Sequence, residues 1–294
     1  MTDSNASQSA LPLFESHPRT FQANRWVYPV LSRRAGGISI GVNLNLDKVC
    51  NFHCVYCQVD RSEPAEREFV EIERLVEELD ATIELVSSGR IYHHPSFART
   101  PEPMRRLCDV AFSGDAEPTT YRNFNEVVAA AAEVRRRRGL DELKLVLITN
   151  ASMLDREPVR RALATLDENN GEIWAKLDAG TEQYYRRVNR SGVRWRHILD
   201  NLAAAARARP IVIQSLWMRI EGRPAPESEQ EAFCDRLEEI VAAGGRIKLV
   251  QLYTVARPPA ETWVSPLSRD ELEALADRVR RRTGLAVATF SGSG

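Results

Sequence analysis

The chain has 294 residues, 43% of them hydrophobic, and a formal net charge of -1. This is enough to bury a large core, and it excludes the global basic field that marks many nucleic-acid binders. No apolar run reaches the length of a membrane span, Met1 to Ala10 is polar, and free cysteines are clustered, which reads as a cytoplasmic protein with no membrane partner.

Residues 1–20 are polar and aperiodic, and read as a loose N-terminal arm ahead of a single domain over 21–294. Trp26, Tyr28, Val30 and Leu31 give residues 21–34 enough apolar bulk to pack. Alternation over 38–46 predicts a first strand, and apolar positions 69, 72, 75, 76, 79, 83 and 86 predict a helix. A loop rich in Pro, His and Arg covers 90–103. Strands are then expected over 107–112, 143–148, 172–177, 211–220 and 247–255, with helices over 123–138, 155–166, 194–208 and 227–243 between them. A last helix over 268–283 opens on a capping box, Ser268 with Glu271, and a short strand over 285–290 follows. Regular alternation from residue 38 onward argues for parallel βα units, about six of them. A β/α barrel and an open doubly wound sheet both satisfy that pattern.

Cys50, Cys54 and Cys57 directly follow the first strand with spacing C-x3-C-x2-C, and hold three of the five cysteines. Thiolates suit zinc or iron–sulfur clusters. No fourth Cys is nearby, since Cys108 and Cys234 lie far along the chain and read as buried small hydrophobes. A four-iron cluster on three cysteines keeps one iron open for another ligand. The alternative is a structural zinc site with His53 as fourth ligand, although zinc sites usually close with two separated ligand pairs. A disulfide fits poorly, because three cysteines this close cannot all pair.

A second cluster of chemistry follows the second strand, in Phe112-Ser113-Gly114-Asp115-Ala116-Glu117-Pro118-Thr119. Together the cysteine spacing and this turn resemble the radical S-adenosylmethionine (radical SAM) superfamily. The resemblance covers residues 38–259 and looks most like a branch of predicted iron–sulfur oxidoreductases related to wyosine-synthesising enzymes. It implies a partial (β/α)6 TIM-like barrel, a [4Fe-4S] cluster on Cys50, Cys54 and Cys57, and S-adenosyl-L-methionine on the open iron. Tyr56 would lie beside the adenine. Ser113, Gly114, Asp115 and Glu117 would receive the cofactor's amino group, with Ala116 departing from a frequent glycine. Thr149-Asn150-Ala151 resembles the family's threonine-asparagine-glycine turn, and Lys176 and Asp178 the strand end near ribose and carboxylate. The implied reaction is reductive cleavage of S-adenosylmethionine to a 5'-deoxyadenosyl radical that abstracts hydrogen from substrate. Its implied partner is an electron donor such as a flavodoxin or ferredoxin.

Gln214, Ser215 and Met218 on the fifth strand, and Gln251, Tyr253 and Arg257 after the sixth, are candidates to line the barrel; Met218 and Val255 read as core. The branch resemblance points to an RNA or nucleotide-derived substrate. Given the net charge, its site would be a local patch of Arg90, Arg99, Arg105, Arg106 and Arg257, with the 90–106 loop folded over the barrel mouth. His93, His94 and Arg135 to Arg138 read as solvated surface. Two other classes fit part of the pattern: a non-catalytic electron-transfer or redox-sensing cluster protein, and a zinc-bearing RNA-binding module.

Overall fold

The computed structural model describes residues 19, 21–61 and 68–292, so most of the expected N-terminal arm lies outside it. The first described element is β1 (Val27–Ser32), which turns at Gly36 (φ 74°) and pairs antiparallel with β2 (Gly37–Val42). Strand and helix then alternate. First come α1 (Ile72–Ser87), β3 (Leu107–Phe112), α2 (Phe124–Arg137), β4 (Lys144–Thr149), α3 (Glu157–Glu168) and β5 (Gly171–Lys176). The second half holds α4 (Glu182–Asn189), α5 (Trp195–Ala208), β6 (Ile211–Leu216), β7 (Met218–Ile220), α6 (Glu227–Ala242), β8 (Ile247–Tyr253), β9 (Val264–Pro266), α7 (Arg269–Thr283) and β10 (Val287–Phe290).

The main sheet has eight strands in the order β1-β2-β3-β4-β5-β6-β8-β10. After the first antiparallel pair every pairing is parallel. Strand order never reverses, whereas a doubly wound sheet must reverse at a switch point. The protein is therefore α/β with a partial TIM-like barrel, open between β1 and β10. Across that opening Arg33 Nη1 donates to the Ser291 carbonyl at 2.5 Å.

The helices cover the outside because their apolar residues recur at helical spacing. In α1 these are Leu75, Leu79, Ile83 and Val86, all buried. Strand faces turned outward pack under them, while Ala111, Val146, Trp174 and Val212 fill the lower interior. The capping box of α7 forms as expected, and Gly284 ends that helix in the left-handed region (φ 69°). No described helix is long and apolar enough to cross a membrane.

Four local expectations change. Residues 211–220 are two strands, because Trp217 N donates to the Tyr253 carbonyl and the chain leaves for a second sheet, β7 with β9. Met218 is core there and does not continue the Gln214 face. Helix α4 had no clear pattern in its short, charged sequence. Cys108 is half-buried at the start of β3, while Cys234 is buried as expected. Arg135 is buried rather than solvated, since its Nε donates to the Leu143 carbonyl at 2.8 Å; Arg138 grips Asp80 at 2.6 and 2.7 Å. His93 is exposed, and His94 packs on Phe21 with ring centroids 5.2 Å apart.

Candidate radical SAM site

The cysteine loop leaves the C-terminal end of β2 and is pinned on two sides. Asn51 Nδ2 donates to Ser152 Oγ at 2.7 Å, and Asn51 Oδ1 accepts from Asn150 Nδ2 at 2.8 Å, tying the loop to the end of β4. On the other side His53 N and Val55 N donate to the carbonyls of Asn189 and Val188 at the end of α4. Arg190 turns the chain there with a φ of 45°. Each of the three sulfurs accepts one N–H. Phe52 N reaches Cys50 Sγ at 3.4 Å, Asn189 Nδ2 reaches Cys54 Sγ at 3.5 Å, and Arg61 Nη1 reaches Cys57 Sγ at 2.9 Å. Donors of this kind stabilise thiolates and tune iron–sulfur sites. Burial and the Asp178 carboxylate push the Cys54 thiol up to about 12, a cost that a bound cation removes by deprotonating the thiol.

The donor set fits a cluster. A single ion needs ligands converging on one point, and no three His, Cys, Asp or Glu side chains do so among the described residues. A four-iron cluster would take each thiolate at a separate iron, and Cys50, Cys54 and Cys57 all line one cavity where they could hold it.

The turn after β3 faces that rim. Gly114 is required: a Cβ there would lie 2.1 Å from Asn43 Oδ1. This close approach lets Asn43 accept from Asp115 N at 3.1 Å and donate to Asp115 Oδ2 at 2.6 Å, while Arg19 holds Asp115 Oδ1 at 2.6 Å. Ala116 is not among the positive-φ residues, so replacing glycine there carries no backbone strain. Ala151 is: its φ of 64° explains why a glycine suits that turn. Glu117 is buried. Its Oε1 accepts from Thr119 N (3.2 Å), Thr119 Oγ1 (2.5 Å) and Thr149 Oγ1 (2.6 Å), and its Oε2 from Asn150 N (2.6 Å). Each carboxylate oxygen offers about two acceptor lobes, and Oε2, with the single donor Asn150 N, keeps the second for an incoming donor. Burial raises the Glu117 pKa despite those bonds.

Lys176 and Asp178 end β5 side by side, Nζ to Oδ1 at 3.2 Å. Asp178 also accepts from Leu216 N (2.9 Å), Asn189 Nδ2 (3.1 Å) and the Tyr56 hydroxyl. Lys176 donates to the Tyr253 hydroxyl at 2.7 Å and lies 4.9 Å from the Tyr56 ring centre. Burial pulls the Lys176 pKa down, but Asp178 and Tyr253 outweigh it and hold the pKa above the ordinary lysine value. A continuous polar chain thus runs from Cys54 through Asn189, Asp178 and Lys176 to Tyr253.

Cys50, Cys54, Cys57, Tyr56, Ser113, Gly114, Asp115, Glu117, Asn150 and Lys176 all line one cavity of about 310 Å³. Asp178 lies behind it, supporting Tyr56 and Lys176. Gln214, Tyr253 and Arg257 line it too, and Gln251 backs Gln214 at 2.8 Å. The expected arginine patch does not form. Arg106 immediately precedes β3 and donates to the Gly36 carbonyl (3.1 Å), at the N-terminal end of the barrel, whereas Arg257 follows β8 at the opposite end. Asn43, Asn51, Asn189 and Arg61 were not singled out from the sequence: the roles of the three asparagines come from long-range contacts, while Arg61, four residues past Cys57, and Asn43, directly after β2, carried a local signal.

A curled parallel sheet with three thiols and an acidic turn at its C-terminal face defines a half-barrel enzyme class. The Radical SAM superfamily profile matches residues 44–221, more than half the chain, and the chain belongs to that superfamily. A UPF0026 protein of Methanocaldococcus jannaschii is 30% identical over 165 residues, 55% of this chain and 43% of that protein. The chain thus spans less than half of that relative's length. Two solved structures share the fold. TYW1 with a lysine-pyruvate adduct bound has a TM-score of 0.59 at 16% identity, covering 88% of this chain and 85% of that one. Archaeal TYW1 has a TM-score of 0.52 at 15% identity, covering 89% and 85%.

Proposed function

We propose that this chain is a hydrogen-abstracting radical SAM enzyme whose [4Fe-4S] cluster is held by Cys50, Cys54 and Cys57. The carrying observation is that each of these three sulfurs, on one cavity rim, is met by its own N–H donor. Ser113, Gly114, Asp115 and Glu117 form the wall toward which an amino group would be directed, and Glu117 Oε2 supplies an acceptor there. Tyr56, Asn150, Lys176 and Asp178 shape the remaining polar wall. Bound together, the cluster and S-adenosylmethionine supply one-electron reductive cleavage of a carbon–sulfur bond and a radical able to take hydrogen. The chain's own residues fix the loop, exclude water with Phe52, Tyr56 and Tyr185, and hold the Lys176 proton between Asp178 and Tyr253. Electrons would come from a reductant such as a flavodoxin or ferredoxin.

An RNA or nucleotide-derived substrate is supported by the branch the motifs resemble; of the arginines expected to receive it, only Arg257 reaches the cavity. The reading is tested by anaerobic reconstitution of the wild type and of Cys50→Ala, Cys54→Ala and Cys57→Ala. Each variant should lose most of its iron and sulfide, together with reductant-dependent release of methionine. Iron without sulfide in the wild type would favour zinc-like single-ion binding. A full cluster that never cleaves S-adenosylmethionine would favour an electron-transfer protein.

A further inference from the structure

Resting on that reading, we propose that the same cavity takes a small organic anion bearing a hydroxyl or amine group. Its carboxylate or phosphate would meet Arg257 and Arg34, and its donor hydrogen would meet Gln214 Oε1.

Arg19, Arg34, Arg61, Lys176 and Arg257 line the cavity. Arg19 is paired with Asp115 at 2.6 Å and Lys176 with Asp178 at 3.2 Å. Arg61 is spent on Cys57 Sγ and on the carbonyls of Lys48 and Asp115. Arg34 and Arg257 are different: among the described residues neither meets a carboxylate at ion-pair distance. Arg34 lies over the Tyr253 ring, 5.1 Å from its centre. Asp109 feels the Arg34 charge but is hydrogen-bonded to Ser39 rather than to either guanidinium. Burial, then the neighbouring charges of Arg19 and Arg34, pull the Arg257 pKa down to about 10. Guanidiniums crowded in this way with no carboxylate bonded to Arg34 or Arg257 among the described residues form an anion site, because an oxyanion relieves their mutual repulsion and satisfies their N–H groups at once.

A second observation is independent of charge. Gln214 is fully buried, and it lines the same cavity from β6. Its Nε2 donates to Gln251 Oε1 at 2.8 Å, while its own Oε1 has no partner among the described residues. Buried acceptors are rarely left unsatisfied in native proteins. A ligand hydroxyl or ammonium would complete this one. Acceptor and guanidiniums line one cavity, so a single small molecule can answer both. The cavity of about 310 Å³ is shared with the cofactor site, so only part of it is left for this ligand, which favours a metabolite over a polymer threaded into the barrel.

The test uses the full chain, anaerobically reconstituted and holding S-adenosylmethionine, titrated calorimetrically with two matched probe pairs. Lactate against propionate differs by one hydroxyl on a carboxylate; glycerol 3-phosphate against propyl phosphate differs by hydroxyls on a phosphate. In the arm that matches the site, the hydroxylated member should bind about tenfold tighter, the effect of one good hydrogen bond. Arg257→Gln should weaken both members about tenfold or more, and Gln214→Leu should weaken only the hydroxylated one, to the level of its partner. The wild-type comparison needs no variant and stands even where a variant folds poorly. Equal affinity within both pairs, no binding in either, or binding unchanged by Arg257→Gln overturns the inference. So does transfer RNA binding that depends on Arg257 while all four probes fail. Iron, sulfide and S-adenosylmethionine occupancy are measured on the same sample. A loaded protein that fails the titration refutes the anion site alone, whereas a protein that never loads refutes the enzymatic reading.

Discussion

Strand β5 carries a charged group at each end of one face, and the two ends treat it differently. At the lower end Glu172 lies between Lys144 at 2.8 Å and Lys248 at 2.6 Å, with Trp174 Nε1 on its second oxygen at 3.0 Å. Burial works against its charge, but these donors win and hold its carboxyl at about 2. Both lysines keep roughly half their surface in water. At the upper end Asp178 is only 3% exposed; Lys176 comes from the same strand end, and its other partners, Tyr56, Asn189 and Leu216 N, come from three other places in the chain. Water can replace a partner at the lower end and not at the upper. The lower pair ties strands together; the upper one assembles the site, and each of its members depends on the others.

The largest expected effect comes from breaking the upper end. Asp178→Ala removes the only carboxylate paired with Lys176 among the described residues, whose side chain is 17% exposed, and should cost about 3 kcal/mol in urea unfolding. A loss below about 1 kcal/mol would mean that water already reaches Lys176.

Asp109 sharpens the contrast by pH. It lies near Glu172 but is buried with only the Ser39 hydroxyl as a bonded partner, and burial raises its carboxyl to about 6 from 3.8. Because the folded value lies above the unfolded one, its contribution is complete below pH 4 and is lost as pH rises from 4 to 6. Two units correspond to about 3 kcal/mol as an upper figure. Asp109→Asn should therefore gain stability relative to wild type as pH goes from 4.5 to 7.5. A difference between the two proteins that does not vary with pH would show that Asp109 is not raised.

At the rim, Glu117→Gln keeps shape and removes charge. With a charged hydrogen bond worth about 1.5–3 kcal/mol, affinity for S-adenosylmethionine at an intact cluster should fall by roughly one to two decades. Unchanged affinity would assign Glu117 only to holding Thr119, Thr149 and Asn150.

The smallest effect belongs to the lower end. Glu172→Gln keeps an acceptor for both half-exposed lysines, so it should cost less than Asp178→Ala, and the cost should shrink in high salt. A cost matching that of Asp178→Ala would erase the distinction between the two ends.

Much of this was legible in one dimension. Alternating periodicities located β2 to β6 and β8, and the helices between them except α4, because each of those elements buries one face and the burial pattern repeats along the chain. The cysteine loop and the Ser113 to Glu117 turn were legible because their ligands are close in sequence, and Gly114 because a backbone approach tolerates no Cβ. β1 was seen only as apolar bulk, since an edge strand of six residues has too few alternations to declare itself.

The sequence by itself determined the alternation of strand and helix, the three-thiol loop and the superfamily's two motifs, all set by residues within a few positions of one another. Tertiary structure alone decided that the sheet winds one way into an open barrel, and that Arg257 faces Arg34 instead of the 90–106 loop. It alone joined Asn189 to Cys54 and left Gln214 Oε1 without a partner. Those outcomes depend on which strand ends meet at one face of the barrel, and that is fixed by packing between residues up to 258 positions apart.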